Sequence, residues 1–451
     1  MAASKRAPAA RKVQRVGTTP PEAAKPGKPR GLRIRTYGVG FGDCFLLSFD
    51  YAAGDRHVLI DFGSTQLPEA AGDGRLAAIA ADIEQACSGK LTAVVATHRH
   101  ADHICGFDPG TGSTGPGAVI RRLRPELVVQ PWTEDPKLAP DATAPRGAGA
   151  TDANRFALRL DNMHRCAGSV LHEVSRMQHA LPPALHGQLS FLGQDNLQNP
   201  GAVRNLMGMA RNEYVHFGYP TALNALLPGV KVAVLGPPTL KEWSAIRSQR
   251  SEDDSQFWQL QGDVGDFASK LRDSGGALFP DAPAVPGDEA PIQARWVLDQ
   301  LRRVRADQLL SIVRVLDSAI NNTSVILLFE VGGMRLLFPG DAQIENWSFA
   351  LSKPEVRAAL GGVDLYKVGH HGSRNATPKT LWNLFEKRSS NPRARMTSLL
   401  STLPGKHGDA DSQTEVPRKT LLAALRKSTT LIDSEAIPAG QLYLEKLFKF
   451  A

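Results

Sequence analysis

The chain is poor in cysteine and has no long apolar run, and both absences narrow what it can be. Its four cysteines, among 451 residues, are widely and irregularly spaced without a Cys-x-x-Cys pair. A disulfide scaffold is therefore not expected, and a reducing cytoplasm is the predicted location. No stretch of about 18 apolar residues predicts a membrane-spanning helix. The basic N-terminus is not followed by the apolar segment of a secretory signal, so no membrane partner is expected.

Strong charge is also missing from most of the chain, although the net charge is +8. Residues 1–30 hold eight Lys and Arg side chains against one acidic residue, so they supply all but one of the net positive charges. This segment is rich in Ala and Pro, which predicts a disordered basic tail. Such a tail could bind nucleic acid or another anionic partner, or serve only as a solubilising leader. The nearly neutral remainder argues against a long duplex substrate, because duplex binding usually needs a basic surface.

The apolar pattern predicts an α/β protein, because strands alternate with helices along the chain. Predicted strands lie at 32–36, 44–49, 57–61, 91–96, 127–130, 231–235, 364–368 and 398–401. Predicted helices lie at 75–87, 377–385 and 419–425, and a final strand pair is predicted near 429–433 and 441–449. Strands at 324–330 and 334–338 flank a Val-Gly-Gly turn, which predicts a hairpin.

Two long segments interrupt this alternation. The segments at about 136–228 and 240–318 have a mainly helical pattern, with Gly- and Pro-rich breaks, and strands resume after each. Within the first, stretches near 154–180 and 203–213 are predicted to be helical. We therefore interpret both segments as helical insertions in one core domain that spans 31–451.

A cluster of metal-ligand side chains follows the strand at 91–96. His98, His100, Asp102 and His103 form the pattern His-x-His-x-Asp-His, with four potential ligands in six residues. They follow the carboxyl end of a strand, where α/β folds tend to place their chemistry. Imidazole and carboxylate together suit zinc, iron or manganese. The alternative interpretation is a polar loop with coincidental histidines.

Three further motifs occur in order along the chain. Asp61 lies in Asp-Phe-Gly after a strand, Asp341 lies in Pro-Gly-Asp after the hairpin, and His370 and His371 lie in His-His-Gly-Ser after the strand at 364–368. Each motif alone is weak, since a plain polar turn explains it equally well. Their order together resembles that of the metallo-β-lactamase superfamily, which implies a four-layer αββα sandwich.

The finer resemblance is to the metallo-hydrolase domain of bacterial DNA-internalisation competence proteins and their relatives. It depends on Val-Gly-Phe-Gly-Asp at 39–43, Asn-Asn-Thr-Ser at 321–324 and Lys-Val-Gly-His-His-Gly-Ser at 367–373. The similarity covers roughly 33–135, 228–238 and 320–450. No channel-forming transmembrane region is present in this sequence, so DNA uptake is not implied.

The resemblance implies two divalent metal ions, zinc or manganese, and a water between them that attacks the substrate as hydroxide. The implied metal ligands are His98, His100, Asp102, His103, Asp341 and His371, with Asp341 as the bridge. Asp61 and Asn322 would support these ligands from behind. Catalysis would involve Asp102, with His370 and His407 as proton or hydrogen-bond donors to the departing group. Either His370 or His371 could be the ligand, and we favour His371.

One ligand of the superfamily has no clear counterpart. A histidine in a third motif normally completes the shell of the first metal, and none here has the expected Gly-His-Thr/Ser-Pro-Gly context. The candidates are His164, His172, His179, His186 and His216. We favour His216, and Asn321, Asn322 or water are the alternatives. The departure puts tight binding of the first metal in doubt.

The resemblance implies a dinuclear metallo-hydrolase that acts on phosphodiesters, as a phosphodiesterase or nuclease. Aspartate at 341 argues against a true β-lactamase, since those enzymes usually have cysteine or serine there. A thioester, lactone or amide hydrolase is the first alternative. The second is a non-catalytic subunit of a larger bacterial system, which would bind a protein partner through the insertions or the tail.

Overall fold

The structure is a computed structural model, and it describes residues 27–69, 71–136, 144–145, 199–247, 320–406 and 415–450. The strands are β1 (Gly31–Tyr37), β2 (Cys44–Asp50), β3 (Arg56–Phe62), β4 (Ala93–Val95), β5 (Leu127–Pro131), β6 (Arg211–Val215), β7 (Lys231–Gly236), β8 (Ile326–Val331), β9 (Met334–Phe338), β10 (Leu365–Lys367), β11 (Thr397–Leu400), β12 (Thr430–Asp433) and β13 (Tyr443–Lys449). The α-helices are α1 (Arg75–Ala86), α2 (Ala101–Ile104), α3 (Pro116–Arg122), α4 (Pro200–Met209), α5 (Leu223–Leu226), α6 (Ile344–Leu351), α7 (Pro354–Gly361), α8 (Lys379–Leu384) and α9 (Lys419–Ser428). Within these ranges, no helix has the length and apolarity needed to cross a membrane.

The strands form two mixed sheets. The first has the order β13-β1-β2-β3-β4-β5-β6, and the second has the order β12-β11-β10-β9-β8-β7. In the first sheet β1, β2, β3 and β13 are antiparallel, whereas β3 to β6 run parallel. The second sheet repeats this plan, with antiparallel β7, β8 and β9 followed by parallel β9 to β12.

The sheets face each other across one apolar core, and helices pack on the outer face of each. The almost uniformly apolar sequence of β2 follows from this arrangement. Phe45, Leu47 and Phe49 point into the core between the sheets, whereas Cys44 and Leu46 point towards α1, α3 and α4. A strand that is buried on both faces needs apolar residues at every position rather than alternate ones. Helices α6 to α9 cover the outer face of the second sheet, so the molecule is an α/β sandwich.

Most predicted elements occur where the pattern placed them, within a few residues. The hairpin of β8 and β9 turns through Gly332 and Gly333, whose φ angles are +56° and +78°. Positive φ at both central residues matches a two-residue hairpin turn whose twist suits the flanking strands. Strand β9 of the hairpin ends at Phe338, three residues before Asp341, so the register of the hairpin fixes where that carboxylate lies.

Two expectations were wrong. The first predicted insertion, 136–228, includes α4, β6 and α5, and β6 pairs in parallel with β5 at the edge of the first sheet. The end of this segment therefore belongs to the core, whereas 137–143, 146–198 and 248–319 lie outside the described residues. The final strands do not pair with each other, because β12 joins β11 and β13 joins β1. A helix was predicted near 203–213, but α4 ends at Met209 and β6 begins at Arg211. The two last strands were predicted at the right places, but partners distant in sequence decide which strands pair.

Of the predicted basic tail, only residues 27–30 belong to the described part of the chain. Residues 1–26 lie outside the described residues. Arg30 forms an ion pair with Asp50, with Nη2 2.6 Å from Oδ1. The last residues of the segment are therefore attached to the first sheet.

Candidate metal centre

Histidine and aspartate side chains meet at the carboxyl ends of β4, β9 and β10, where loops from the two sheets come together. Asp102, His103, Asp341 and His371 each offer one ligand atom, and these four atoms lie within 4.8 Å of one another. We call them the four-residue group. His98, His100 and Asp102 meet the same distance limit and form the three-residue group. All of these side chains are buried.

The short helix α2 presents Asp102 and His103. It begins after His100, whose carbonyl oxygen accepts hydrogen bonds from the amides of His103 and Ile104, both at 3.0 Å. Gly63 packs directly against this turn, and a Cβ added there would lie 2.3 Å from the carbonyl oxygen of Ala101. Only glycine allows this approach, which explains why the Asp-x-Gly motif positions the ligand helix.

Asp61 fixes the orientation of His103. Its Oδ1 accepts the amide hydrogen of Thr97 at 2.7 Å, and its Oδ2 accepts from the Thr97 hydroxyl at 2.7 Å. The same Oδ2 lies 2.8 Å from Nδ1 of His103. A carboxylate can only accept, so Nδ1 of His103 donates and Nε2 is the nitrogen directed at the centre. That Nε2 lies 3.0 Å from Oδ2 of Asp341.

His371 is oriented in the same way. Its Nδ1 lies 2.9 Å from the carbonyl oxygen of Ser401 and must donate to it. Its Nε2 therefore faces Asp102 Oδ2 at 3.0 Å and Asp341 Oδ2 at 3.6 Å. Both His370 and His371 have left-handed backbone, with φ of +43° and +52°. Such strain in non-glycine residues persists where the surrounding structure imposes it, often at functional sites.

His370 lies at the rim of the centre rather than inside it. Its side chain is 25% exposed, and its Nε2 lies 4.0 Å from Oδ2 of Asp341. His371, by contrast, is completely buried. The structure therefore gives His371 the interior position and leaves His370 facing the approach to the centre.

The charged side chains of the four-residue group shift one another's pKa values. Burial alone would raise the pKa values of Asp102 and Asp341, but His103 in particular lowers both below the usual range. Burial alone would lower the pKa values of His103 and His371, but Asp341 and Asp102 raise both above the usual value. In the absence of a cation, these shifts favour ionised carboxylates beside protonated imidazoles in one buried space.

The three-residue group has a different character. Nε2 of His98 lies 3.1 Å from Nδ1 of His100, and the rings of His98 and His103 are 4.1 Å apart between centroids. Burial, with His103 and His100 nearby, holds the pKa of His98 well below its usual value. His98 is therefore neutral and keeps a lone pair for a metal ion.

The centre fits divalent cations on its own geometry. Oδ1 of Asp102, Oδ2 of Asp341 and Nε2 of His103 are buried without an aligned hydrogen-bond partner. Buried polar atoms of this kind are costly unless a partner or an ion satisfies them. Among the described residues, the centre also holds buried carboxylates at Asp43, Asp61, Asp102 and Asp341, and the ammonium group of Lys367 pairs with Asp43 and Asp341. These His and Asp side chains are positioned to hold metal ions.

Some predicted site residues lie elsewhere. His216 follows β6, packs 5.8 Å from the ring of Tyr219, and belongs to neither group among the described residues. Asn322 is fully buried and directs its amide nitrogen at Glu345, 3.1 Å away. His407 lies outside the described residues, as do the other third-motif candidates, at 164, 172, 179 and 186.

Sequence reasoning did not assign roles to two residues that the structure places beside the ligands. Asp43 and Lys367 form a buried ion pair next to Asp341. A lysine within an apolar strand is the signal that could have found it, because lysine is almost never fully buried without a partner.

Comparison with known proteins adds no assignment. No protein-family model matches the chain, and no curated protein matches it.

Proposed function

We propose that the chain is a metal-dependent hydrolase of the metallo-β-lactamase superfamily that cleaves phosphodiesters. The observation that carries this proposal is the convergence of Asp102, His103, Asp341 and His371 within 4.8 Å. Asp102 and His103 are neighbours in α2 of the first sheet, whereas Asp341 and His371 follow strands of the second sheet and lie far along the chain from them. A buried meeting of nitrogen and carboxylate ligands is typical of zinc and manganese hydrolases.

The architecture supports the same class. Two mixed sheets with helices outside suit the αββα sandwich of the superfamily, and the ligands follow the strands in the superfamily's order. The finer resemblance in motifs is to the metallo-hydrolase domain of competence proteins. That branch favours phosphate esters over lactams, and aspartate at 341 favours the same substrates.

Two cations, zinc or manganese, would occupy the two groups, which share Asp102. Bound there, they would lower the pKa of a water molecule and stabilise negative charge on the oxygens of the reacting ester. The protein residues hold this arrangement. His103 and His371 present Nε2 because Asp61 and Ser401 accept their Nδ1 hydrogens.

His370 is the group best placed to assist departure of the leaving alcohol. It lies at the rim with a quarter of its side chain exposed, so a substrate could reach it. An imidazolium or neutral imidazole N–H there could donate a proton or a hydrogen bond to the leaving oxygen. Phosphodiester cleavage benefits from such a donor because an alkoxide is a poor leaving group.

Hydrolysis of a chromogenic phosphodiester by zinc- or manganese-loaded protein tests the proposal. We expect Asp341→Asn to lower the rate by more than about 100-fold, since changes to outer partners alone cost about 10–100-fold. Asp50→Asn, which alters an exposed ion pair far from the ligand loops, is the matched control.

The outcome separates the alternatives. Loss of activity in Asp341→Asn alone would support phosphodiester chemistry at this site. Protein that holds its metal ions but leaves the phosphodiester intact would contradict the proposal. Thioester, lactone and amide substrates would then be assayed in turn.

A further inference from the structure

Lys367 is a buried cation in the middle of the candidate metal centre. It ends β10 and is only 2% exposed. Its ammonium group forms an ion pair with Oδ2 of Asp43 and lies 3.3 Å from Oδ1 of Asp341. It also donates to the carbonyl oxygen of Gly340 at 3.1 Å. The Lys367 side chain therefore joins two carboxylates, of which only Asp341 belongs to the four-residue group.

The two oxygens of Asp341 consequently have different surroundings. Oδ1 accepts from Lys367 and from the backbone amide of His370, the latter at 3.0 Å. Oδ2 lies 3.0 Å from Nε2 of His103 and 3.6 Å from Nε2 of His371, and it has no aligned hydrogen-bond partner. Only Oδ2 faces the nitrogen atoms that would bind metal.

Asp43 anchors this arrangement to the other sheet. Its backbone amide donates to the carbonyl oxygen of Asp102 at 2.8 Å, and its carbonyl accepts from Gly63 at 3.1 Å. The pair formed by Asp43 and Lys367 thus connects the ligand helix α2, on the first sheet, with β10 of the second. Its position lets it set the distance between Asp341 and the ligands of α2.

We propose that Lys367 is a positioning residue of the metal centre, which holds Oδ1 of Asp341 through an ion pair shared with Asp43 and so leaves Oδ2 as the oxygen offered to the cation. This inference rests on the metal centre of the proposed function but not on its phosphodiester substrate. The pKa of Lys367, which burial alone would lower, is raised by Asp43 and Asp341, so the side chain keeps its charge. A fixed outer partner of this kind tunes the ligand that it orients.

Binding of cobalt(II) to the full chain tests this role without any substrate. Lys367→Met keeps an unbranched side chain of similar size but removes its charge. We expect the affinity for Co²⁺ to fall by about tenfold or more. We also expect the visible absorption of the bound ion to change, because Asp341 can then rotate or bind through both oxygens. Lys387→Met, which removes a partly exposed lysine paired with Asp364, should alter neither property.

A double variant separates positioning from folding. Lys367→Met alone removes the closest cation from buried Asp43, which can destabilise the fold. Asp43→Asn combined with Lys367→Met removes both charges, so we expect its thermal stability to recover relative to Lys367→Met. If Lys367 positions Asp341, Co²⁺ affinity and spectrum in the double variant stay altered. Lys367→Arg, which keeps a cation able to reach two carboxylates, should restore part of the affinity.

Unchanged Co²⁺ affinity and spectrum in folded Lys367→Met, or their full return in the double variant, would overturn the inference and leave a purely structural ion pair. Neither result depends on hydrolysis, so a failure here is distinct from a failure of the proposed phosphodiester activity.

Discussion

The two ligand groups of the centre share Asp102 but are built differently. The four-residue group draws Asp102 and His103 from the first sheet and Asp341 and His371 from the second. The three-residue group takes all of its members from the segment between β4 and the end of α2. One group therefore depends on how the sheets pack together, and the other depends on one local turn.

This difference predicts which of the two groups should bind a metal ion more tightly. The four-residue group offers two imidazoles and two carboxylates, with His103 oriented by Asp61 and His371 by Ser401. The three-residue group offers two imidazoles and a carboxylate that it shares. Structural metal sites usually have four protein ligands, whereas sites with three keep an open position. We therefore expect the first cation to bind the four-residue group tightly and the second to bind more weakly.

The strongest test of these unequal affinities is to remove one imidazole from each group. His371→Ala should weaken the tightly held cation by more than about 100-fold, because loss of a ligand costs more than loss of an outer partner. His98→Ala should leave that cation in place and remove only the weaker one. Metal content after dialysis, with calorimetric titration of Zn²⁺, measures both effects.

Equal losses in the two variants would contradict the unequal pair of sites. So would the disappearance of the tight cation from His98→Ala alone. Circular dichroism of both variants checks that neither change unfolds the chain.

A smaller effect should follow from changing the orientation of a ligand while keeping the ligand itself. Asp61→Asn places an amide where His103 now meets a carboxylate. If the amide oxygen stays on Thr97, its NH₂ group faces Nδ1 of His103 and favours the tautomer with hydrogen on Nε2. We expect zinc affinity at the four-residue group to fall about 10–100-fold.

Asparagine suits this position because it tolerates left-handed backbone, and φ at Asp61 is +55°. Backbone strain should therefore not confuse the result. An affinity equal to that of the unaltered protein would mean that Asp61 does not control the tautomer of His103.

Acid should weaken the four-residue group before it affects His98. Carboxylates raise the pKa values of His103 and His371 above 6.5, so both imidazoles bind protons that a cation must displace. Below these raised values, affinity should fall by about tenfold per pH unit for each proton displaced. His98, with a lowered pKa, holds no proton in that range. The raised pKa values of His103 and His371 also stabilise the metal-free fold at pH values below 6.5. This stabilisation is lost as the pH rises through the raised pKa values.

Calorimetric titration of Zn²⁺ at several pH values between about 6 and 8 measures the effect, and proton release can be read from the dependence on buffer. Identical affinities across this range would show that His103 and His371 are not protonated in the metal-free protein.

Local patterns in the sequence were sufficient for much of this picture. The ligand cluster after β4 and the Gly-Gly hairpin before Asp341 are local features, because a strand and a turn of few residues determine them. The motif order also indicated that Asp341 and His371 would meet the cluster. Parallel strands bring their carboxyl ends to one edge of a sheet, which is where loops can converge.

The structural features that the sequence pattern did not predict depend on contacts between residues that are distant in sequence. Strand β6 follows a helix in a segment that looked like an insertion, and only its pairing with β5 identifies it as part of the core. Lys367 and Asp43 are separated by most of the chain. A lysine within a strand does not indicate which carboxylate forms an ion pair with it. The sequence favoured His216 among the third-motif histidines without the expected motif around it, because the role of such a ligand depends on three-dimensional distance.

The smallest expected effect concerns His216, the favoured candidate for the missing ligand. It lies after β6 beside Tyr219 and joins neither ligand group. His216→Ala should therefore change zinc affinity at both sites by less than about twofold, whereas a true ligand would cost more than the 10–100-fold typical of outer partners. Calorimetric titration beside His98→Ala provides the comparison. A loss of the weaker cation in both variants would place His216 in the three-residue group and make the two sites more alike, because the second site would then also have four protein ligands.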